Sequence, residues 1–244
     1  MKPVGRKIIR LESVDSTNNY TANLIKASDV THGSVILAVE QTSGRGQRNA
    51  EWLVRPGENL TFSLYVDEVK LSVNEQFKIT QLVSLAICDV LKKYSIVAKV
   101  KWPNDIYVDS KKIAGVLIEN QLQGGNIKSS IIGIGLNVNQ TSFEGFDATS
   151  LKLTTGNFTN IEEVLFAFIH SFNERIERTA NIEAEYLEKM YLINESASFL
   201  NQAGHKFEGE IIGVAPTGKL QVRVSEGVKE FDLKGIQFIP QNEI

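Results

Sequence analysis

Four short stretches carry residue types that do chemistry. QTSGRGQRNAEW (residues 41–52) puts two glycines, two arginines and a tryptophan into a dozen residues without a helical or strand period. Glycines let backbone N–H groups approach an anion closely, and Arg45 and Arg48 add charge-assisted donors. The nucleotide fingerprint G-x-G-x-x-G would need glycine at Asn49, and a P-loop would need G-K-[ST]; neither is present. On its own the loop reads equally well as exposed surface. KWPNDIYV (101–108) sets proline between a tryptophan and an Asn-Asp pair, a rigid turn presenting Trp102, Asn104 and Asp105 at one edge, although Asn and Asp favour turns in any case. SKKIAGVLIE (110–119) places a lysine at the mouth of a strand that reads as buried; of Lys111 and Lys112, Lys111 is the one that reads as a solvated turn residue. IIGIGLNVN (131–139) spaces Gly133, Gly135, Asn137 and Asn139 two apart, on one strand face. Glycine weakens a strand, so two in step imply that something flat, or a closely packed helix, lies on that face.

The frame that positions these stretches is an ordinary globular one. The chain has 244 residues, 42% hydrophobic and 23% charged, with a formal net charge of -3. That suits one large domain with a small module and argues against a surface built to neutralise nucleic-acid phosphates. One cysteine, Cys88, sits in an apolar helical pattern, and with three scattered histidines it makes neither an intrachain disulfide nor a Cys/His metal site. The N-terminal MKPVGRKIIR lacks an apolar segment behind its basic residues, and no run approaches the ~18 apolar residues of a membrane span. The expectation is a cytoplasmic protein with no membrane partner.

Along the chain, RKIIRLESV and SVILAVE read as strands with a capped helix, DSTNNYTANLIK, between them. Residues 71–94 read as a long helix whose Ser72 and Glu75 fit a capping box. VAKVKW, IYV, KKIAGVLIEN and SSIIGIGLNVN form an antiparallel meander, followed by helices over 160–179 and 182–192. The last stretch, from His205, alternates in short strands broken by Pro-Thr-Gly, Ser-Glu-Gly and Lys-Gly. The expected class is therefore α+β: a mixed, largely antiparallel sheet flanked by helices over 1–194, and a small C-terminal β-barrel over 195–244.

DSTN (15–18), QTSGRGQRNAEW, KWPND, KKIAGVLIE and GIGLNVN (133–139), closed by a small barrel, follow in an order that resembles the biotin–protein ligases over nearly the whole chain. The resemblance implies a class II synthetase-like catalytic domain and ATP-dependent, AMP-forming attachment of biotin to a lysine of a biotin carboxyl carrier domain, through biotinyl-5'-AMP. It implies that Ser16, Thr17 and Asn18 line the ureido end of biotin, and that Gln41, Gly44, Arg45, Gly46 and Gln47 close over it with Gly115 nearby. Lys112 would bridge the biotin carboxylate and the α-phosphate. Arg48, Asn104 and Asn137 would approach the nucleotide, Trp52 would stack on adenine, and Asp105 would meet the acceptor lysine. Catalysis would thus fall to Lys112, Arg45 and Asp105, with Mg²⁺ on the phosphates and no metal site of the protein's own. Some members carry an N-terminal DNA-binding segment; with a strand beginning within ten residues of Met1, this chain resembles the ligase-only form, as a monomer or homodimer without a nucleic-acid partner.

The family's commonest loop is G-R-G-R-x-G-R-x-W, and here Gln47 and Ala50 replace two of its arginines while Arg48 is additional. Two other readings share most of these features: a lipoate–protein ligase, and a non-catalytic sensor of biotin or its adenylate.

Overall fold

The computed structural model describes residues 1–47 and 50–239. Seven strands form the main sheet: β1 (Lys7–Val14), β2 (Ser34–Gln41), β3 (Asn59–Asp67), β4 (Lys99–Lys101), β5 (Asp105–Val108), β6 (Lys111–Gln123) and β7 (Asn126–Asn137). Their spatial order is β1-β2-β3-β7-β6-β5-β4, and only the β1–β2 pair is parallel. A right-handed return from β1 to β2 needs a crossover, and α1 (Thr17–Lys26) supplies it. The sheet is mixed and largely antiparallel, as the meander implies.

Strand β3 has no counterpart in the sequence reading, yet it is the strand on which the others register. Its sequence NLTFSLYVD alternates strictly: Leu60, Phe62, Leu64 and Val66 are all but inaccessible on one face, and Thr61 and Ser63 are buried on the other. The apolar face meets α2 (Phe77–Lys93) and α4 (Ile161–Glu177), with Phe62 and Phe168 in an edge contact at 5.3 Å. α1 lies on the opposite, polar face, where the Ser63 hydroxyl lies 2.7 Å from Thr17 Oγ1. One side of the sheet is therefore the core, and the other is free for chemistry.

The helix expected from residue 71 begins later. Glu75 accepts hydrogen bonds from the backbone N–H and hydroxyl of Ser72 at 3.2 and 2.9 Å, but this closes a 3₁₀ turn (Val73–Glu75) that leads into α2 at Phe77. Cys88 is buried in α2, and burial pushes its thiol up to about 12, which makes it an inert core group. Short α3 (Leu151–Thr155) and α5 (Ile182–Lys189) complete the helices.

From Ser196 the chain forms a second, antiparallel sheet: β8 (Ser196–Asn201), β9 (Lys206–Val214), β10 (Leu220–Val224), β11 (Gly227–Phe231) and β12 (Ile236–Phe238), in the order β11-β10-β9-β8-β12. It curls around an aromatic cluster: Phe199 packs against Phe207 and Phe238, and Phe207 stacks on Phe231 of the edge strand β11. The unit docks on the KWPND turn. Trp102 is buried and its Nε1–H donates to the Gly218 carbonyl at 2.9 Å, and Gly218 has φ +91° and no room for a Cβ against Phe77. Trp102→Phe keeps most of the packing and leaves that carbonyl unpaired. We expect it to lower stability by about 1–3 kcal/mol in urea unfolding.

Candidate active site

The polar face of the sheet reads across four strands. Thr61 of β3 pairs with Gly135 of β7, Gly135 with Gly115 of β6, and Gly115 with Asp105 of β5. The neighbouring row runs Ser63, Gly133, Leu117. A strip of small side chains thus crosses the middle of a seven-stranded sheet, and a cavity of about 230 Å³ stands on it. Its walls are the first turn of α1, the 41–52 segment, and the side chains of Asp105 and Lys112.

The glycines are explained by what lies on them. A Cβ on Gly133 would fall 2.5 Å from Asn18 Oδ1, and one on Gly135 would overlap the Trp52 indole. Both readings of the spacing hold: α1 packs closely over Gly133 through the flat amide of Asn18, and the Trp52 indole lies on Gly135. Trp52 Nε1 is buried with no hydrogen-bond partner among the described residues. Asn139 leaves the series: it lies beyond the end of β7 and exchanges two hydrogen bonds with the backbone of Thr159, at 2.8 and 3.0 Å.

The first turn of α1 is capped from outside. Gln41 Oε1 accepts from the Thr17 N–H at 2.7 Å and lies 3.0 Å from the Thr17 hydroxyl, while the N-cap residue Ser16 makes no side-chain capping bond. The Ser16 hydroxyl, nearly inaccessible, is thereby left to the cavity it lines. Asp15 accepts from the Asn19 amide at 2.7 Å, and that bond, with the Ser16 backbone N–H, holds its carboxyl below the usual range.

Residues 44–47 and 50–52 pair with one another as the two arms of a hairpin. Trp52 N–H donates to Gly44 O at 2.9 Å, Gly46 N–H to Ala50 O at 2.7 Å, and Arg45 bridges to Glu51. Gly44 is needed because a Cβ there would run into the Trp52 carbonyl. Gln47 and Ala50 both line the cavity. Arg48 lies outside the described residues.

Lys112 reaches the cavity through an irregularity. Ile106 pairs with Ala114 but Tyr107 pairs with Lys112, so Ile113 is an extra residue on β6. This bulge puts Lys112 on the same face as Gly115, three positions on, where regular alternation would oppose them. Lys112 Nζ then lies 2.7 Å from Asp105 Oδ1 and 5.6 Å from the Trp52 ring, and Gly115 leaves room for the pair. Lys111 is exposed and outside the cavity.

Asn104 is buried on the cavity wall and donates to the Val116 carbonyl at 2.5 Å. Asn137 donates to the Thr149 carbonyl at 3.0 Å; its Oδ1 is buried without a partner among the described residues, and it does not line the cavity. Of the residues to which the resemblance gives a role, within the described range, Gly44 and Asn137 stand off the cavity wall, as do Trp102, Lys111 and Asn139 from the wider set. Thr61, Ser63 and Glu119 were missed: Thr61 and Ser63 sit on an unrecognised strand, and Glu119 reads as the polar end of an apolar one. Beside the site, Lys101 Nζ lies 3.1 Å from the Tyr107 hydroxyl, and burial lowers the lysine and raises the phenol to about 12.

The arrangement offers a partly open cavity with two cations, Lys112 and Arg45, and a carboxylate at the lysine. Such a site binds an anionic reactant and stabilises charge growing on phosphoryl oxygens. No group of three or more His, Cys, Asp or Glu side chains among the described residues could cage a metal. No helix among the described residues is long and apolar enough to cross a membrane.

The profile of the Biotin/lipoate A/B protein ligase family matches residues 11–137. The chain is 28% identical to the bifunctional ligase/repressor BirA of Bacillus spizizenii, over 93% of this chain and 72% of that protein. It is 33% identical to the biotin–[acetyl-CoA-carboxylase] ligase of Paracoccus denitrificans, over 52% of this chain and 53% of that one. Among solved structures it is similar to the biotin protein ligase of Aquifex aeolicus in complex with biotin and ATP, with a TM-score of 0.80, 27% identity, and coverage of 97% of this chain and 100% of the other.

Proposed function

The chain belongs to the biotin/lipoate A/B protein ligase family and is a ligase of its biotin–protein branch; on that premise we propose that it joins biotin to a lysine of a biotin carboxyl carrier domain in two steps. In the first, a biotin carboxylate oxygen attacks the α-phosphorus of ATP, the bond to the β-phosphate oxygen breaks, and pyrophosphate leaves. In the second, the acceptor amine attacks the acyl carbon of biotinyl-5'-AMP, AMP leaves, and the amine gives up a proton.

The observation that carries this reading is the Lys112–Asp105 pair at 2.7 Å on the glycine floor of the cavity. A carboxylate cannot expel oxide, so it needs activation; the cation needed for that sits beside the carboxylate that could receive the acceptor lysine. Ser16, Thr17 and Asn18 take the ureido end at the first turn of α1, and Gln41, Arg45, Gly46, Gln47 and Gly115 surround the bicyclic ring and valeryl chain, with Gly44 shaping the hairpin. Asn104 and Trp52 lie on the nucleotide side, with Asn137 behind the cavity wall, and the resemblance assigns Arg48 to the same substrate. The hairpin keeps water from an acyl-adenylate that hydrolyses when wetted. Residues 1–194 supply this chemistry, and the second sheet, β8 to β12, resting on Trp102, borders the entry for the nucleotide or the acceptor.

The test is mass spectrometry of a carrier domain incubated with the purified chain, ATP, Mg²⁺ and biotin. One biotinyl group should appear on a single lysine, with AMP and pyrophosphate as products. ADP in place of AMP would exclude the adenylate route, and preference for lipoate in competition would move the chain to the other branch of the family.

A further inference from the structure

Glu119 lies on β6 two strand positions beyond Leu117, against the cavity-lining side chains of Asn18 and Arg45, and none of the roles above uses it. Its two oxygens do different things. Oε2 accepts from the Asn18 amide Nδ2 at 2.7 Å, and Oε1 accepts from the Arg45 guanidinium at 2.5 Å. Arg45 is held a second time by Asn19 Oδ1, one residue along the helix from Asn18. The ion pair is exposed on both sides, 43% for Arg45 and 38% for Glu119, so water screens it and its contribution to stability is small. Its effect is geometric.

Asn18, by contrast, is buried. Its amide lies flat on Gly133, with Oδ1 2.6 Å from the Ser63 hydroxyl and Nδ2 toward Glu119. A serine hydroxyl both donates and accepts and would serve either orientation of the amide. An ionised carboxylate only accepts. Turning the amide over would set Oδ1 against the Glu119 carboxylate and toward the Leu117 carbonyl, which lies 3.5 Å from Nδ2. Glu119, the nearer and charged acceptor, is the stronger of the two in deciding which end of Asn18 offers a donor and which an acceptor to whatever enters the cavity.

We propose that Glu119 is a positioning residue for the reaction: with one oxygen it fixes the hydrogen-bonding polarity of Asn18, and with the other it holds Arg45 of the hairpin across the cavity mouth. One carboxylate thereby couples the end of the cavity that recognises the acid to the segment that closes over it. The inference rests on the reading that biotin's ureido end lies at Asn18.

The experiment uses the full chain and two variants. In biotin-dependent ATP–pyrophosphate exchange, Glu119→Ala should raise the KM for biotin roughly ten- to hundredfold, the range for losing a charge-assisted hydrogen bond, and leave the KM for ATP unchanged. Glu119→Gln keeps shape and one acceptor oxygen, so its biotin KM should fall between the parent and Glu119→Ala. Both variants lose the ionic hold on Arg45, so both should release more biotinyl-AMP into solution per turnover than the parent. Parental biotin KM and parental retention in both variants would overturn the proposal. So would equal damage to both substrates' KM and to kcat, the mark of a merely structural residue. Should Glu119→Ala not fold, the glutamine variant carries the test, because a parental biotin KM and parental retention in it alone are enough to overturn the coupling. A parent chain without biotin-dependent exchange would instead end the functional reading on which the proposal stands.

Discussion

Lys112→Ala should lower biotin-dependent pyrophosphate exchange by about two to three orders of magnitude, the usual cost of removing a donor aimed at charge that grows in the transition state. Lys111→Ala should leave the rate close to that of the parent. The two side chains are neighbours in the chain and chemically identical, so the contrast isolates position. The bulge at Ile113 sends Lys112 to the glycine floor, and Lys111 remains in solvent. Lys112→Arg should not rescue: a guanidinium is longer and planar, and the space beside it is set by Gly115, whose Cβ position is 3.2 Å from Lys112 Nζ. Equal loss from the two alanine variants would show that charge near the strand mouth suffices and that the bulge has no role.

Much of this site was readable in the residues because the motifs are local. The DSTN helix entry, the glycine-rich segment, the KWPND turn and the paired glycines each announce a backbone constraint within a few positions. What escaped was non-local. Strand β3 alternates cleanly in NLTFSLYVD, but only its pairing with β7 makes it the strand on which the site registers. The 3₁₀ entry to α2 was read as helix because a capping box marks either kind of first turn. Asn139 follows the two-residue period of β7, but the strand ends at Asn137 and the period no longer sets its direction. Glu119 could not be found from its type. Its importance comes from Asn18 and Arg45, which are distant in sequence and meet it only when α1 and the hairpin fold onto one face. The bulge is the clearest case: period-2 alternation puts Lys112 on the wrong side of β6 from Gly115, and only the register with β5 corrects it.

Asp105→Asn should move the two half-reactions in opposite directions. Asp105 is the counter-ion of Lys112, at 2.7 Å, and both side chains are partly exposed, 31% for the lysine and 27% for the aspartate. An incoming carboxylate or phosphate must draw Lys112 away from Asp105. Removing the charge removes that competition, so the variant should bind biotin and ATP at least as tightly as the parent and still form biotinyl-AMP. Transfer is different. The acceptor lysine is protonated at neutral pH, with a free pKa of about 10.4, and must lose a proton before or as it attacks. Loss of a positioned carboxylate base should slow that step by about two to four orders of magnitude. The pH dependence separates this from simple misplacement of the acceptor. Without a base the reaction draws on the small fraction of free amine, which grows about tenfold per pH unit below the lysine pKa. The variant's transfer rate should therefore climb steeply from pH 7 to pH 9 and approach that of the parent, whose own profile should be flatter. A single-turnover chase of preformed enzyme–biotinyl-AMP with a carrier domain measures this directly. Transfer at the parental rate at pH 7, or a deficit that does not shrink as the pH rises, would remove Asp105 from the role of base and leave it only as the partner that holds Lys112 in place.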